Sequence, residues 1–349
     1  MSLYFLPPIV LSMFMGRLVD RTGVALPMAL VASLLIAGHV LPAAAPSLWT
    51  LAISAACTGT AFVGAMIALS SAAAFAGPPE ERAVNFSWFT LGTGFGVGLG
   101  PFLSGFAIDD MGDRAASLAL CVWPAVILAI LAVARRRLPV VTAVSTVGTS
   151  SAATGVQALP WTELLRDKHL RAALVASVMG PAGYEVFLFV MPVLGSRIGL
   201  SASTIGTILA ASAAAIFVVR LVMPMLVRWM RDWTMMVVVF IALSLSFLLL
   251  SMLTQTWVLF LISIVMGVAQ GMGQPVIMSM FFAASPEGRK GEAAGVRGIL
   301  QNTFSAASPV LMGGLGTILG LGPVLVAAAV IYAWGSWYAR RQSVGWTLT

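Results

Sequence analysis

Glu185 is the residue of this chain whose setting most invites chemistry. It closes the stretch Gly180-Pro181-Ala182-Gly183-Tyr184-Glu185, inside the apolar run 170–195. As a helix, that run puts Glu185 about 22 Å from its first end, within a lipid layer whose hydrocarbon core is roughly 30 Å thick. A charge held there costs about 2.5–3.5 kcal/mol even on a lenient insertion scale, and taking up a proton removes it. Residue type and depth therefore point to a carboxylate that faces a cavity and binds a proton or a polar ligand. A glutamic acid that stays protonated, hydrogen-bonded and silent fits equally, and both readings stand at this stage. Pro181 frees a backbone carbonyl one turn away, as in the interrupted helices of intramembrane binding sites, and Tyr184 adds a hydroxyl beside the carboxylate.

Other polar side chains in apolar surroundings are few. Gln270 and Gln274 are four apart on one face of the run 257–282, where their amides can bond a substrate or a neighbouring helix. Gln301 and Asn302, in the run 294–317, carry the same two readings. Arg220 stands about 12 Å from Arg228 at the end of its run. From there it can snorkel to the surface or pair with an acid; Glu185 lies about 10 Å farther in, so a direct pair needs tilt. Cys57 and Cys121 fall inside apolar runs, and no His, Cys, Asp and Glu set has metal-ligand spacing. There is no phosphate-cradling glycine loop followed by Lys and Ser/Thr, and no nucleophile with a base in reach. The residues imply no metal, no cofactor and no enzyme.

The elements that must hold these residues are membrane helices. Sixty per cent of the 349 residues are hydrophobic, only 9 % are charged, and mean hydropathy is +1.00. A water-soluble chain of this length cannot hide so much apolar surface, whereas a lipid-embedded bundle may be apolar outside as well. The net charge of +7 is spread in small groups between apolar runs, so it reads as loop charge rather than a nucleic-acid surface. Met1–Met15 has no positive n-region and is not a secretory signal.

Eleven spans are expected, near 1–15, 25–41, 48–73, 87–108, 115–134, 170–195, 202–227, 234–253, 257–282, 294–317 and 321–339. All must be helical, because lipid offers no partner to an open strand edge. Of the 19 Lys and Arg, fifteen fall on one side, Arg114 and Arg197 on the other, and Arg220 and Arg297 within spans. The basic side is cytoplasmic, which puts the C-terminus inside. The stretch 138–168, rich in Ser, Thr and Gly and ending in charge, is a cytoplasmic linker. It divides a five-helix half (1–137) from a six-helix half (169–341).

The halves repeat at an offset of 208. Trp49 meets Trp257, Gly59 meets Gly267, Pro101 meets Pro309, and Gly105 meets Gly313. The twin of the sixth span would fall at −38 to −13, before Met1. The expectation is a duplicated body whose first helix is absent and whose opening run is a shortened second helix.

Three short patterns carry a family resemblance. Gly16-Arg17-Leu18-Val19-Asp20-Arg21-Thr22-Gly23 resembles the hallmark cytoplasmic loop of the major facilitator superfamily, with Val24 and Ala25 where a basic pair is usual. Gly96-x-x-x-Gly100-Pro101-x-x-Ser104-Gly105 resembles the motif of that family's proton-coupled drug antiporters, with Ser104 in place of a glycine. Leu226–Asp232 reads as a degenerate second loop, with Arg228 at the aspartate position.

The resemblance implies an all-α integral membrane protein of two pseudo-symmetric helical halves, a twelve-helix fold minus the first. It also implies that Asp20 locks the halves against a helix N-terminus near Gly295–Arg297, as a carboxylate favours that end. Arg21 would pair locally, Gly16 and Gly23 would allow the turn, and Gly96, Gly100, Pro101 and Gly105 would pack tightly. The implied activity is secondary active efflux of a small molecule by alternating access. The proton is the coupling ion and a monomer in the plasma membrane the working form. The alternatives are uptake of an organic anion with Arg220 as counter-charge, and a truncated, non-transporting or regulatory membrane protein.

Overall fold

The computed structural model describes residues 4, 14–15, 17–19, 21–75, 82–134, 167–286 and 290–345. Among them every regular element is a helix, and there is no strand. The helices are α1 (Ala25–Ala44), α2 (Leu48–Phe75), α3 (Arg82–Leu120), α4 (Val122–Ala134) and α5 (Lys168–Arg197). They continue as α6 (Ala202–Trp229), α7 (Asp232–Met252), α8 (Thr256–Ala284), α9 (Lys290–Ile318) and α10 (Leu321–Gly345). Eight helical stretches among the described residues are long and apolar enough to cross a membrane. One of them, Leu91–Val133, has 43 residues. At 1.5 Å per residue it spans about 64 Å, twice the hydrocarbon thickness. It is two crossings joined at Gly112, whose φ of 76° breaks the helix, and the exposed residues 109–115 form the turn between them.

The chain forms two compact units. One comprises Met1–Gly148 with Ser201–Gly206; the other comprises Thr149–Leu200 and Thr207–Thr349. In the first, α1 packs along α2 and against α3 and α4, with Met15, Val31 and Ala61 buried between them. In the second, α5 runs through the middle and packs on α8, α9 and α10, while α7 pairs with α10 and α8. Phe187, Val190 and Met191 of α5 are fully buried, as are Phe240, Phe247 and Phe281 around it. Large apolar side chains such as Val133, Leu221 and Ile299 point outward, which suits a surface solvated by lipid.

The offset of 208 runs through the helices themselves. α2 and α8 start 208 apart, as do α3 and α9, and α1 and α7 do so to within one residue. Gly112 and Gly320 are 208 apart, and both adopt a positive φ, 76° and 84°, a conformation that favours glycine. Contacts follow the same rule. The backbone oxygen of Tyr4 lies against Gly59, and that of Ser212 lies against Gly267; both members of the two pairs are 208 apart. Met15, Val31 and Ala61 are matched by Met223, Val239 and Ala269, all buried.

Candidate functional site

The stretch 179–185 of α5 is where the second unit concentrates its polar contacts. Pro181 takes away one ladder hydrogen bond, so this turn depends on neighbours more than an ordinary helix turn does. Four helices supply them. From α10, the Tyr332 hydroxyl donates to the Met179 carbonyl at 2.8 Å. This approach needs Gly183, where a Cβ would stand 2.9 Å from the Tyr332 oxygen. From α8, the Ile277 side chain fills the space over Gly180, 2.5 Å from where a Cβ would be. From α6, Ser212 pairs with the Tyr184 hydroxyl at 3.0 Å. Ser212 spends its own proton on the Leu209 carbonyl at 2.6 Å, so Tyr184 is the donor of that pair. From α9, the Ser305 hydroxyl donates to Glu185 Oε2 at 2.6 Å.

Glu185 is only partly buried, whereas Tyr184 and Ser305 are buried on either side of it. The carboxylate therefore sits at the edge of the packed centre, with one oxygen held by Ser305. A hydroxyl donor satisfies a carboxylate and equally accepts a bond from a protonated acid after rotating its proton. The arrangement can hold either protonation state without moving a helix.

The remaining polar residues lie apart from this cluster. Gln270 Nε2 donates to Gln274 Oε1 at 3.1 Å, so the two amides of α8 bond each other, as their four-residue spacing allows. Asn302 is exposed on α9 and Arg220 is exposed on α6. No ion pair joins Arg220 to Glu185. Arg297 Nη1 donates to Gln301 Oε1 at 3.2 Å, and its guanidinium lies 5.7 Å over the Phe281 ring, a cation–π arrangement.

In the first unit, Gly16 and Asp20 lie outside the described residues. Arg21 is exposed. Gly23 has φ 74° and its N–H donates to the Val19 carbonyl at 2.9 Å. On α3, Gly105 is buried against the backbone oxygen of Ala202, and the Pro101 oxygen lies against Gly206. Gly96 and Gly100 are exposed, and a Cβ at either would meet no atom within 4 Å. No group of His, Cys, Asp and Glu among the described residues could hold a metal.

Ser212, Ser305 and Tyr332 were not singled out by sequence. A serine in a membrane helix ordinarily bonds its own i−4 or i−3 carbonyl, so nothing local distinguishes Ser305 from Ser177 or Ser285. The available signal was spacing: Ser305 is four residues from Gln301 and three from Asn302, on the polar side of α9.

Solved structures similar to the chain are transporters. A POT family transporter in complex with 5-aminolevulinic acid matches with a TM-score of 0.72 and 14 % identity, over 96 % of this chain and 85 % of that one. A peptide transporter POT matches at 0.70 and 15 %, over 97 % and 85 %. The nucleoside transporter NupG matches at 0.72 and 13 %, over 97 % and 90 %. At these identities the likeness is one of fold. No curated protein sequence matches the chain. The sequence model of the Major Facilitator Superfamily matches residues 1–309, and the helices, the 208-residue repeat and the intramembrane carboxylate agree with it: the chain belongs to that superfamily and is a membrane transporter, not an enzyme.

Proposed function

We propose that the chain exports a small, largely apolar molecule in exchange for protons, by alternating access of a five-helix half (1–137) and a six-helix half (169–341) joined by a cytoplasmic linker. The observation that carries the reading is the Glu185–Ser305 bond. A titratable group lies there on the helix to which four others are tied. Tyr184 shapes the site, and Gln270, Gln274, Asn302 and Arg220, apart from that cluster, are the further polar groups offered to substrate. Asp20 and Arg21, between Gly16 and Gly23, gate the cytoplasmic side, and the Gly96–Gly105 stretch keeps the bundle tight. The excess of Lys and Arg on one side supports a cytoplasmic C-terminus, and the plasma membrane and a monomer are the proposed setting.

The test uses everted vesicles with an imposed proton gradient and a panel of lipophilic cationic dyes, ethidium among them. Gradient-driven dye accumulation by the parent chain, lost in Glu185→Gln, supports the reading. Accumulation that persists in Glu185→Gln removes Glu185 from coupling, and uptake running down the dye gradient without proton movement removes antiport.

A further inference from the structure

Arg297 is a cation within a membrane helix that meets no acid. It stands seven residues, about 10 Å, into α9 from Lys290. It is part-buried, and among the described residues no carboxylate pairs with it. A side chain of this length ordinarily snorkels to the nearer surface, which on α9 lies back toward Ala293. Arg297 turns the other way. Its Nη1 donates to Gln301 Oε1 at 3.2 Å, one turn farther from Lys290, although side chains on a helix lean toward its N-terminus. The guanidinium lies over the Phe281 ring of α8, 5.7 Å from its centre. Phe281 is buried in a cluster with Leu170, Leu174 and Ala293, so the floor under the charge is apolar and offers no counter-charge.

The two side chains present donors only. A guanidinium carries five N–H donors, and one is spent on Gln301. That bond occupies Gln301 Oε1 and leaves the two N–H groups of its Nε2. Resting on a ring uses the face of the guanidinium, while its N–H groups radiate in the plane and stay open. Donors without an acceptor select an anion and reject an ammonium. One positive charge balances a monoanion, and the planar fork matches a carboxylate. Glu185 cannot fill this place. Arg297, Gln301 and Ser305 are four apart and form one stripe of α9, and Ser305 holds Glu185. Eight residues separate the two charges by about 12 Å along the helix, beyond the reach of an ion pair, so the counter-charge is left to a ligand.

We propose that Arg297 and Gln301, set between α5, α8 and α9, bind the carboxylate of an organic monoanion with an apolar body. As a statement about cargo this rests on the export reading above and adds organic anions to its range; as a binding site it needs neither Glu185 nor a gradient. The test is equilibrium binding of tritiated phenylbutyrate to the purified full chain in lipid nanodiscs, read by scintillation proximity. The parent binds it saturably. Arg297→Gln weakens binding by about tenfold or more, the size of one lost hydrogen bond to a charged group. Arg297→Lys keeps the charge without the fork, Gln301→Leu keeps the charge without the amide, and each weakens binding less. Phenylbutyramide, of the same shape but uncharged, competes at least about tenfold more weakly than unlabelled phenylbutyrate. Phenylbutyrate raises the melting temperature of the parent and not that of Arg297→Gln. Parental affinity in Arg297→Gln, or in both Arg297→Lys and Gln301→Leu where Arg297→Gln does not fold, overturns the site. Equal competition by the amide, or no saturable binding to the parent, overturns it as well. Failure of proton-driven dye transport with phenylbutyrate binding intact counts against export and leaves the site standing.

Discussion

The two copies of the repeat agree in packing and disagree in chemistry. Where backbones touch, the residues match: Gly59 and Gly267 each receive a neighbour's carbonyl oxygen. Buried Met15, Val31 and Ala61 answer buried Met223, Val239 and Ala269. At four polar positions the copies differ. The positions 208 before Ser305, Gln270, Gln274 and Asn302 hold Val97, Phe62, Met66 and Gly94. Packing constraints are reciprocal and are kept by both copies, whereas these four polar side chains occur in the second copy only.

The largest expected break in the comparison comes at Glu185. Glu185→Gln keeps the size and the Ser305 bond but removes the proton site, so gradient-driven transport falls to background while expression and unfolding temperature hold. Dye flux in everted vesicles reads the first, and a thermal melt in detergent reads the second. Next are the shared glycines. Gly59→Ala and Gly267→Ala each drive a Cβ into a backbone oxygen that cannot swing aside, at a cost of about 1–3 kcal/mol. Both variants should melt earlier and by similar amounts. A large effect in one half with none in the other would show that the packing symmetry is only formal.

A smaller and more selective contrast is the exchange at 305 and 97. Ser305→Val removes the donor from a part-buried carboxylate, worth about 1.5–3 kcal/mol for a hydrogen bond to a charged group. It should slow gradient-driven transport. Val97→Ser should leave the rate where it was. Dye flux in everted vesicles for the two variants decides the point.

Much of this is legible in the sequence. Long apolar runs leave a membrane chain no choice but helix, and the repeat gave helix starts that recur at the same offset. The depth of Glu185 in its helix also follows from counting residues. Its partners did not, because Ser305, Ser212 and Tyr332 become special only when another helix brings an acceptor or donor to them. The loop residues Gly16 and Asp20 and the linker 138–166 lie outside the described residues. The glycines of α3 divide too: Gly105 touches α6, while Gly96 and Gly100 face open space, and residue type alone does not tell which side of a helix finds a neighbour.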